Sequence, residues 1–307
     1  MKILALVGPT AVGKSSLAIR LAKELNAEII SCDSMQIYRG MDIGTAKATK
    51  EEMDGVRHHL IDILDPDESF SCADYASLAK EAIKDISSRG KLPIFCGGTG
   101  LYLDSVIKIP SFCDTAKDAS YRNELEKFAL ENGNSALHAM LADIDPESAL
   151  STHENNVKRV IRALEIYKCT GVTKSEWDRR SRLTPPPYDA QVFFLTYENK
   201  DLLYKRIEER VDIMLDTGLL DEARALYERG ALSADKTASG AIGYKEFIPY
   251  FKNESSLEEC IAALKLSTRH YAKRQLTWFS KKEDYHKLHV DKTDAYSYIM
   301  HTVGDIK

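Results

Sequence analysis

Four short apolar runs recur along the chain with the length and composition of buried β-strands. They cover Ile3–Val7, Ala27–Cys32, Leu92–Gly97 and Ala190–Thr196. Runs rich in aliphatic and aromatic residues, rather than alternating with polar ones, are typical of strands covered on both faces. Because segments with helical spacing separate the first three runs, the pattern predicts a parallel α/β sheet.

Helices are predicted where apolar residues repeat every three or four positions. The clearest case is Phe70–Ser88, whose apolar positions share one face and which is followed by Gly90, a residue typical of helix ends. The same spacing predicts helices at Ser16–Leu25, Leu202–Leu215, Leu219–Glu228 and Leu257–Phe279.

A short strand and turn are predicted at His58–Pro66. Adjacent side chains of a strand point to opposite faces, so His58 and His59 are poorly placed to share one metal ion. We expect two ordinary hydrogen-bonded imidazoles instead.

The strand pattern stops near Pro110 and returns only at Ala190. The residues between are mostly polar with helical spacing, and they lack the strand that an α/β sheet would place about every 30 residues. We therefore predict three segments: residues 1–112 as the first part of the core, 113–188 as an inserted helical domain, and 189–307 as the completion of the core with C-terminal helices.

Composition adds limits to this picture. The 307 residues are 44% hydrophobic and 29% charged, as in an ordinary globular protein, and no apolar stretch reaches the ~18 residues of a membrane span. The first strand begins directly after Met1 and Lys2, so we expect no signal peptide and a cytoplasmic protein. Six scattered cysteines without a CxxC pair indicate reduced thiols, and the net charge of −5 leaves only local patches for a polyanionic partner.

The segment after the first strand carries the strongest chemical signal. It fits the phosphate-loop pattern GxxxxGK(S/T), between a predicted strand and a predicted helix. Such a loop points backbone N–H groups at an anion, adds the charge of Lys14, and offers the Ser15 hydroxyl as a ligand for Mg²⁺. We predict that it binds a diphosphate or nucleotide, through Gly8, Pro9, Thr10, Ala11, Val12, Gly13, Lys14 and Ser15. The fold class is then α/β, a P-loop NTPase-like parallel sheet core with an inserted, mostly helical domain.

Asp33 follows the second strand directly, and in a parallel sheet this places it beside the phosphate loop. An aspartate at a strand end also commonly forms a turn, but the neighbouring loop favours a functional interpretation. Ser34, Gln36 and Tyr38 are predicted to receive a substrate, and Arg39 to pair with a charge. A second glycine-rich loop, Gly97–Gly100, is predicted at the same edge of the sheet.

Basic residues cluster in two places. Lys158, Arg159 and Arg162 share one face of a helix in the insertion, and Arg269–Lys282 interleaves cations with aromatic residues. One such helix alone is more commonly a solvated face. Two clusters accompanying a phosphate loop in an acidic chain favour a nucleic-acid partner, with cations for phosphates and rings for base stacking.

Over nearly its whole length the sequence resembles the tRNA dimethylallyltransferases, which prenylate an adenosine next to the anticodon. The phosphate loop alone is shared with many nucleotide enzymes, whereas seven segments in this order are specific to the family. The segments are Gly8–Ser15, Asp33–Lys47, His58–Pro66, Gly97–Tyr102, Arg162–Glu165, Ala241–Glu246 and Tyr271–Phe279. Gly240 and Arg57 depart from the family pattern, where glutamine and proline are usual.

The resemblance implies dimethylallyl diphosphate as donor, Mg²⁺ as cofactor, and N6 of adenosine 37 as acceptor in tRNAs that read codons beginning with U. It implies a catalytic role for Asp33, Lys14, Ser15 and Thr99, with the metal at Ser15. We expect a monomer without membrane contact. The tRNA-binding residues that it implies are Asp33, Ser34, Met35, Gln36, Thr99, Arg122, Lys158, Arg159, Val160, Ile161, Arg162, Gly240, Ala241, Ile242, Gly243, Tyr244, Lys245, Lys273, Arg274, Gln275 and Trp278.

The residues and the resemblance agree on a substitution in which the adenine amine attacks the allylic carbon and diphosphate leaves. Asp33 is the candidate base, and the phosphate loop stabilises the leaving group. Three alternatives remain open: a small-molecule kinase, an isopentenyltransferase acting on free AMP or ATP, and a non-catalytic RNA-binding module. The basic clusters and the long insertion are arguments against the first two, and turnover of the donor would exclude the third.

Overall fold

The computed structural model describes residues 1–108, 118–233 and 236–304, apart from the side chain of Arg182. The chain divides into two compact units, one formed by Met1–Val106 with Tyr188–Lys307 and the other by Ile107–Pro187. The predicted insertion at 113–188 falls on the second unit; its predicted start, Cys113, lies outside the described residues.

A six-stranded sheet forms the centre of the first unit, in the order β3-β2-β4-β1-β5-β6. Every neighbouring pair of strands is parallel, which confirms the predicted α/β fold class. The strands are β1 (Lys2–Val7), β2 (Ala27–Cys32), β3 (His58–His59), β4 (Leu92–Gly97), β5 (Asp189–Thr196) and β6 (His286–His289).

Helices make up most of the remaining chain, and α5 to α9 belong to the second unit. They are α1 (Lys14–Glu24), α2 (Lys50–Met53), α3 (Cys72–Ser88), α4 (Gly100–Ile107), α5 (Ala119–Asn132), α6 (Asn134–Ile144), α7 (Pro146–Ser151), α8 (Val157–Thr170), α9 (Lys174–Leu183), α10 (Lys200–Asp216), α11 (Leu219–Glu228), α12 (Ile248–Phe251), α13 (Leu257–Phe279) and α14 (Ala295–Gly304). Among the described helices, none is both long and apolar enough to cross a membrane.

The register of the sheet explains where the site forms. Val7 at the end of β1 pairs with Gly97 at the end of β4, and Gly97 also pairs with Cys32 at the end of β2. Three consecutive loops therefore leave the sheet at one edge, beginning at Gly8, Asp33 and Gly98. In an open parallel sheet this carboxyl edge is where ligands bind.

The short strand and turn predicted at His58–Pro66 are present. His58 and His59 pair with β2, and the strand ends there because Leu60 and Asp62 adopt positive φ values of 60° and 56° that an extended strand cannot accommodate. The chain then turns back, and Leu64 forms a single bridge with Tyr38.

The first unit also ends in a strand and a helix that the apolar pattern does not predict. Strand β6 has the sequence His-Lys-Leu-His and extends the sheet beside β5. Helix α14 then packs against α1, where Ile299 is fully buried and Arg20 lies 3.4 Å above the Tyr296 ring.

The second unit has its own apolar core, built around α8. Leu137 and Leu141 of α6 pack with Val160 and Leu164 of α8, and all four side chains are at most 1% exposed. The apolar face predicted for this helix therefore forms a core of its own.

Candidate active site

The phosphate loop, residues 8–15, is held tightly between the sheet and helix α1. Gly8 has φ 150°, and a Cβ at this position would lie only 2.2 Å from the carbonyl oxygen of Leu195 on β5, so no larger residue fits there. Gly13 precedes α1 with φ 93°, in the left-handed region. The loop thus turns into the helix start, the arrangement that favours anion binding.

The backbone donors of this loop are not equivalent. Pro9 has no N–H, and its carbonyl accepts a hydrogen bond from Lys14 Nζ at 2.6 Å. The N–H of Thr10 donates to Gln275 Oε1 at 2.9 Å. Val12 is 5% exposed and packs its side chain into the core, so only its backbone can face a ligand. The N–H groups of residues 11 to 15 form the remaining donor set.

Two cations line the cavity above this loop. Burial lowers the pKa of Lys14 to about 8, and the nearby charge of Arg210 acts in the same direction. Burial also lowers the pKa of Arg210, although the charges of Glu52 and Asp33 act in the opposite direction. Two cations on one cavity wall favour an anionic ligand.

A cavity of about 250 Å³ connects the phosphate loop with the loop that begins at Asp33. Its wall includes Thr10, Ala11, Lys14 and Ser15 from the first loop, and Asp33, Ser34, Met35 and Gln36 from the second. An apolar part of the wall contributes Ile29, Ala46, Ala48, His58, Ile61, Val211 and Met214. A ligand with an anionic end and an apolar end matches this lining.

Asp33 is fixed by the turn that follows it. Its Oδ1 accepts the N–H of Met35 at 2.9 Å and that of Gln36 at 3.4 Å. Within the described chain no group donates to Oδ2. The turn-forming role and the functional role are therefore compatible, because one carboxylate oxygen holds the loop and the other is available in a side chain that lines the cavity.

Two residues predicted to face a substrate instead hold the loop. Thr99 does not line the cavity; its hydroxyl accepts the N–H of Ser34 at 3.2 Å. Tyr38 is fully buried in an apolar cluster, with its hydroxyl 3.4 Å from the carbonyl oxygen of Glu68. The burial of Tyr38 contradicts a direct substrate contact by its side chain, whereas Thr99 is half-buried and its predicted catalytic role stays a prediction.

The predicted role of Gln36 is only partly supported. Its side chain lines the cavity, but its Oε1 accepts a hydrogen bond from Ser31 at 3.0 Å and its Nε2 donates to Thr45 O at 3.2 Å. Arg39 is exposed and pairs with Asp65 at 3.3 Å, as the predicted charge-pairing role requires.

Segment 240–245 forms another part of the wall, but not with every predicted residue. Gly240, Ala241, Ile242, Gly243 and Lys245 line the cavity. Tyr244 does not: it is fully buried, and its hydroxyl donates to Glu222 at 2.7 Å. A side-chain contact between Tyr244 and tRNA is therefore contradicted by its burial.

Helix α13 carries the second basic cluster and divides it between two faces. Arg274 and Tyr271 line the cavity, and Lys273 and Trp278 lie exposed on the same helix. The cation of Lys282 lies 5.6 Å from the Trp278 ring and 2.6 Å from Asp104. Lys282 therefore holds the helix end.

In the second unit, the carboxylate of Glu165 holds the guanidinium groups of Arg162 on α8 and Arg122 on α5. Arg122 donates twice to the Glu165 carboxylate at 2.7 Å, and Arg162 donates at 2.6 Å. Burial alone would raise the pKa of Glu165, but these hydrogen bonds lower it to about 2. The two guanidinium groups are thus fixed at half-buried positions instead of moving freely in solvent.

The stripe predicted on α8 is only partly a surface. Lys158 and Arg159 are exposed, whereas Val160 is 0% and Ile161 is 4% exposed. The latter two side chains pack in the core of the unit. A contact between these two side chains and tRNA is contradicted by this burial, and Lys158 and Arg159 are the exposed cations of the stretch.

Known proteins similar to this chain add to what its geometry indicates. The family model described as IPP transferase matches residues 36–282. The chain belongs to this family. The resemblance expected from the seven sequence segments is thereby confirmed.

Relatives of this IPP transferase carry the name tRNA dimethylallyltransferase. The protein of Halalkalibacterium halodurans is 54% identical over 281 residues, covering 92% of this chain and 88% of its own. The protein of Bacillus cereus is 53% identical over 283 residues, with the same coverage.

Solved structures give the same assignment. The full-length tRNA isopentenylpyrophosphate transferase from Bacillus halodurans has a TM-score of 0.73 and 50% identity, covering 99% of this chain and 95% of its own. A eukaryotic dimethylallyltransferase described as acting on tRNA has a TM-score of 0.87 and 31% identity, covering 99% of this chain and 79% of its own.

Sequence motifs missed several residues that shape the site of this IPP transferase. Arg210 and Glu222 lie on helices whose apolar spacing explains them as ordinary helical positions. Arg210 is one turn from Arg206, whose Nε donates to the Ala11 carbonyl at 3.1 Å. The sequence shows that this helix face is charged, but it does not show that the face lies against the phosphate loop. Only the tertiary fold brings Arg210 to the cavity wall and Glu222 to the loop at residues 42–44.

Possible metal ligands come together at one place in the described part of the chain, away from the cavity. Glu28, His59 and Asp85 lie within 4.8 Å of one another, and none of them lines the cavity. Hydrogen bonds, above all from Arg89, lower the pKa of Glu28, and Lys91 adds a contact at 2.9 Å. This group is an ion-pair network in which cations already compensate the carboxylates.

The two histidines behave as predicted. His58 Nδ1 lies 2.8 Å from Val56 O, and His59 Nε2 lies 2.8 Å from Glu28. They are hydrogen-bonded imidazoles that point to different partners.

Proposed function

We propose that this IPP transferase moves a dimethylallyl group from dimethylallyl diphosphate to N6 of adenosine 37 in tRNAs that read codons beginning with U. The names of its relatives supply the transferred group and the acceptor class. The observation that carries the proposal is that one cavity wall contains both the phosphate loop and Asp33.

The donor end of the cavity suits a diphosphate leaving group. Negative charge grows on the diphosphate as its bond to the allylic carbon breaks. Lys14, Arg210 and the N–H groups of residues 11 to 15 stabilise this charge more strongly in the transition state than in the substrate. The apolar wall near His58 and Ile61 suits the dimethylallyl group.

The acceptor end suits removal of a proton. The adenine amine attacks the allylic carbon, a C–N bond forms as the C–O bond breaks, and the amine must lose a proton. We propose that Asp33 Oδ2 accepts it, because Oδ1 is already held by two backbone N–H groups. A positioned base of this kind contributes roughly 10²–10⁴-fold to the rate.

We further propose Mg²⁺ as the cofactor. The Ser15 hydroxyl lines the cavity beside Lys14, and Mg²⁺ characteristically combines few protein oxygens with phosphate oxygens and water. The residues therefore fit a metal shared with the donor better than a cage made by protein alone. When bound, the ion would neutralise diphosphate charge, and Ser15 is the residue that would hold it.

Recognition of tRNA is proposed for exposed cations in both units. Arg274 lines the cavity, Lys273 and Trp278 lie on the outer part of α13, and Lys158 and Arg159 lie on α8. Cations contact phosphates and the indole can stack on a base, which helps an adenosine leave its stack and reach Asp33.

We also propose that the protein acts as a monomer in the cytoplasm, where its proposed acceptor is used. Light scattering coupled to gel filtration tests the first point: a mass near 34.5 kDa supports it, and twice that mass contradicts it.

Labelled dimethylallyl diphosphate offered in parallel with tRNA and with AMP tests the function. We expect label in tRNA only, dependent on Mg²⁺. Label in AMP would indicate an adenylate isopentenyltransferase, and intact donor with bound tRNA would indicate a non-catalytic module. Mass analysis of adenosine 37 from a deletion strain, with and without this chain restored, then tests the position.

A further inference from the structure

Gln275 lines the cavity beside Arg274, but its side-chain amide is already used by the protein. It lies on α13 between exposed cations, yet it is only 5% exposed. Its Oε1 accepts the N–H of Thr10 at 2.9 Å, and its Nε2 donates to the carbonyl oxygen of Gly98 at 3.1 Å. Both ends of the amide are therefore used inside the protein.

The glycines at the end of β4 make this arrangement possible. A Cβ at position 98 would lie 1.9 Å from Gln275 Nε2, and a Cβ at position 100 would lie 2.3 Å from the ring of Trp278. The second glycine-rich loop contributes Gly97 and Gly98 to the cavity wall and also allows α13 to approach. Three segments distant in sequence meet at one amide.

We propose that Gln275 is a positioning residue for the donor diphosphate. Its hydrogen bond occupies the Thr10 N–H, so that this group is not available to bind the anion. The same side chain fixes the start of the phosphate loop against Gly98. The N–H groups of residues 11 to 15 then stand at a set distance from the anion. This inference rests on the proposed function for the identity of the donor, and it replaces the predicted contact between Gln275 and tRNA.

Gln275→Met tests the inference, because methionine keeps the length of the side chain and removes both hydrogen bonds. We expect KM for dimethylallyl diphosphate to rise about tenfold, as loss of two neutral hydrogen bonds implies. The dissociation constant for tRNA should stay within about twofold of wild type. Lys273→Met, two positions away and exposed, provides the comparison: it should weaken tRNA binding and leave KM for the donor unchanged.

Gln275→Glu adds a readout that a merely structural role would not change. A protonated glutamic acid has the shape of glutamine and can donate to Gly98 O, whereas the carboxylate faces that oxygen and repels diphosphate. We therefore expect the ratio of the variant's KM for the donor to that of wild type, measured at the same pH, to be close to one at pH 5.5. The ratio should be clearly higher at pH 7.5.

Two outcomes overturn the inference. One is a Gln275→Met protein with unchanged KM for the donor and weakened tRNA binding, which would restore the role as a tRNA contact. The other is a Gln275→Glu protein whose relative KM for the donor does not depend on pH, and this measurement decides if Gln275→Met fails to fold. An inactive wild-type protein in the same assay would instead contradict the proposed function.

Discussion

Lys14 and Asp33 place opposite charges on the wall of one cavity, and each lacks part of the partner set that would satisfy it. Lys14 donates to the Pro9 carbonyl, which is neutral, while Asp33 leaves one oxygen without a donor in the described chain. Half-buried charges in this condition are characteristic of ligand sites, because the ligand supplies the missing partner.

The lowered pKa of Lys14 predicts proton uptake when diphosphate binds. The free protein loses the Lys14 charge as pH rises through about 8, whereas a bound anion favours the charged form and raises the pKa. Affinity for inorganic diphosphate with Mg²⁺ should therefore fall above pH 8. Calorimetry at pH 8 in two buffers of different ionisation enthalpy should report an uptake of up to about half a proton from this residue.

Lys14→Arg is the matched control, since an arginine stays charged throughout this range. Titration of the diphosphate itself is the same for both proteins and cancels in the difference. Equal proton uptake by wild type and Lys14→Arg would contradict the assignment.

Asp33→Asn should abolish most catalysis without disturbing the loop. The amide oxygen can still accept the N–H groups of Met35 and Gln36, but the amide cannot accept a proton from an amine. We expect the single-turnover rate to fall roughly 10²–10⁴-fold with tRNA affinity within about twofold of wild type. Asp67→Asn, an exposed aspartate outside the cavity, should leave the rate unchanged. A near-normal rate for Asp33→Asn would exclude Asp33 as the base.

Sequence patterns located the site residues whose position follows from their neighbours along the chain. The phosphate loop and Asp33 each follow a strand directly, so strand prediction alone placed them at one edge of the sheet. The positions of Arg210 and Gln275 in the site depend on how α10 and α13 pack. The spacing of apolar residues along a helix does not show which loop that helix will cover. Tyr38 and Val160 were predicted to contact substrate or tRNA together with their polar neighbours in sequence. Both side chains are buried, and the sequence pattern did not show this.

At the scale of elements, helix α11 holds a loop that borders the cavity. The carboxylate of Glu222 accepts the N–H groups of Asp42, Ile43 and Gly44 at 3.0 to 3.1 Å, and the hydroxyl of Tyr244 at 2.7 Å. Gly44 lies against Tyr244 so closely that a Cβ would stand 2.5 Å from the ring. One carboxylate thus joins the helix, the loop at 42–46 and the segment at 240–245.

Glu222→Gln should destabilise the protein, because its amide nitrogen would oppose backbone donors that now face a carboxylate. We expect the free energy of unfolding to fall by about 1–3 kcal/mol, measured by urea denaturation. Glu228→Gln makes the same change at an exposed position of α11 and should alter stability far less. If both substitutions lowered the free energy of unfolding equally, the four hydrogen bonds of Glu222 would not contribute specifically to stability.

Sequence patterns predicted the long helices closely and the short or polar elements poorly. Helices α11 and α13 have the predicted bounds, because many apolar positions define them. Strand β6 is missed because three of its four residues are polar and its one buried side chain, Leu288, carries no periodic signal. The short strand expected at His58 is present, but the apolar pattern does not show that positive φ values end it after two residues.

At the scale of the whole molecule, an acidic protein must attract a polyanion. The net charge is −5, so binding depends on cations that are not already paired. Lys158 and Arg159 are exposed on α8, whereas Arg162 and Arg122 are committed to Glu165. The number of basic residues in the sequence therefore overstates what tRNA can use.

Replacing Lys158 and Arg159 together by alanine should weaken tRNA binding and its dependence on salt. The slope of log affinity against log salt should decrease by about one for each phosphate that is no longer neutralised, and hence by up to about two. Lys127→Ala with Lys174→Ala removes the same charge from cations paired with Glu131 and Asp178 in the same unit. We expect that control to change the slope little; equal changes in both double variants would indicate a general charge effect.

The order of strands has a consequence for biosynthesis. Strand β1 is translated first, but one of its two sheet partners, β5, is translated only after the entire second unit. The ladder between them cannot form until the ribosome has passed Thr196, and Leu195, which closes over Gly8, arrives just before that point. The second unit has nearer contacts in sequence and can fold sooner. The anion-binding loop, encoded near the start of the message, is thus among the last parts to reach its working shape.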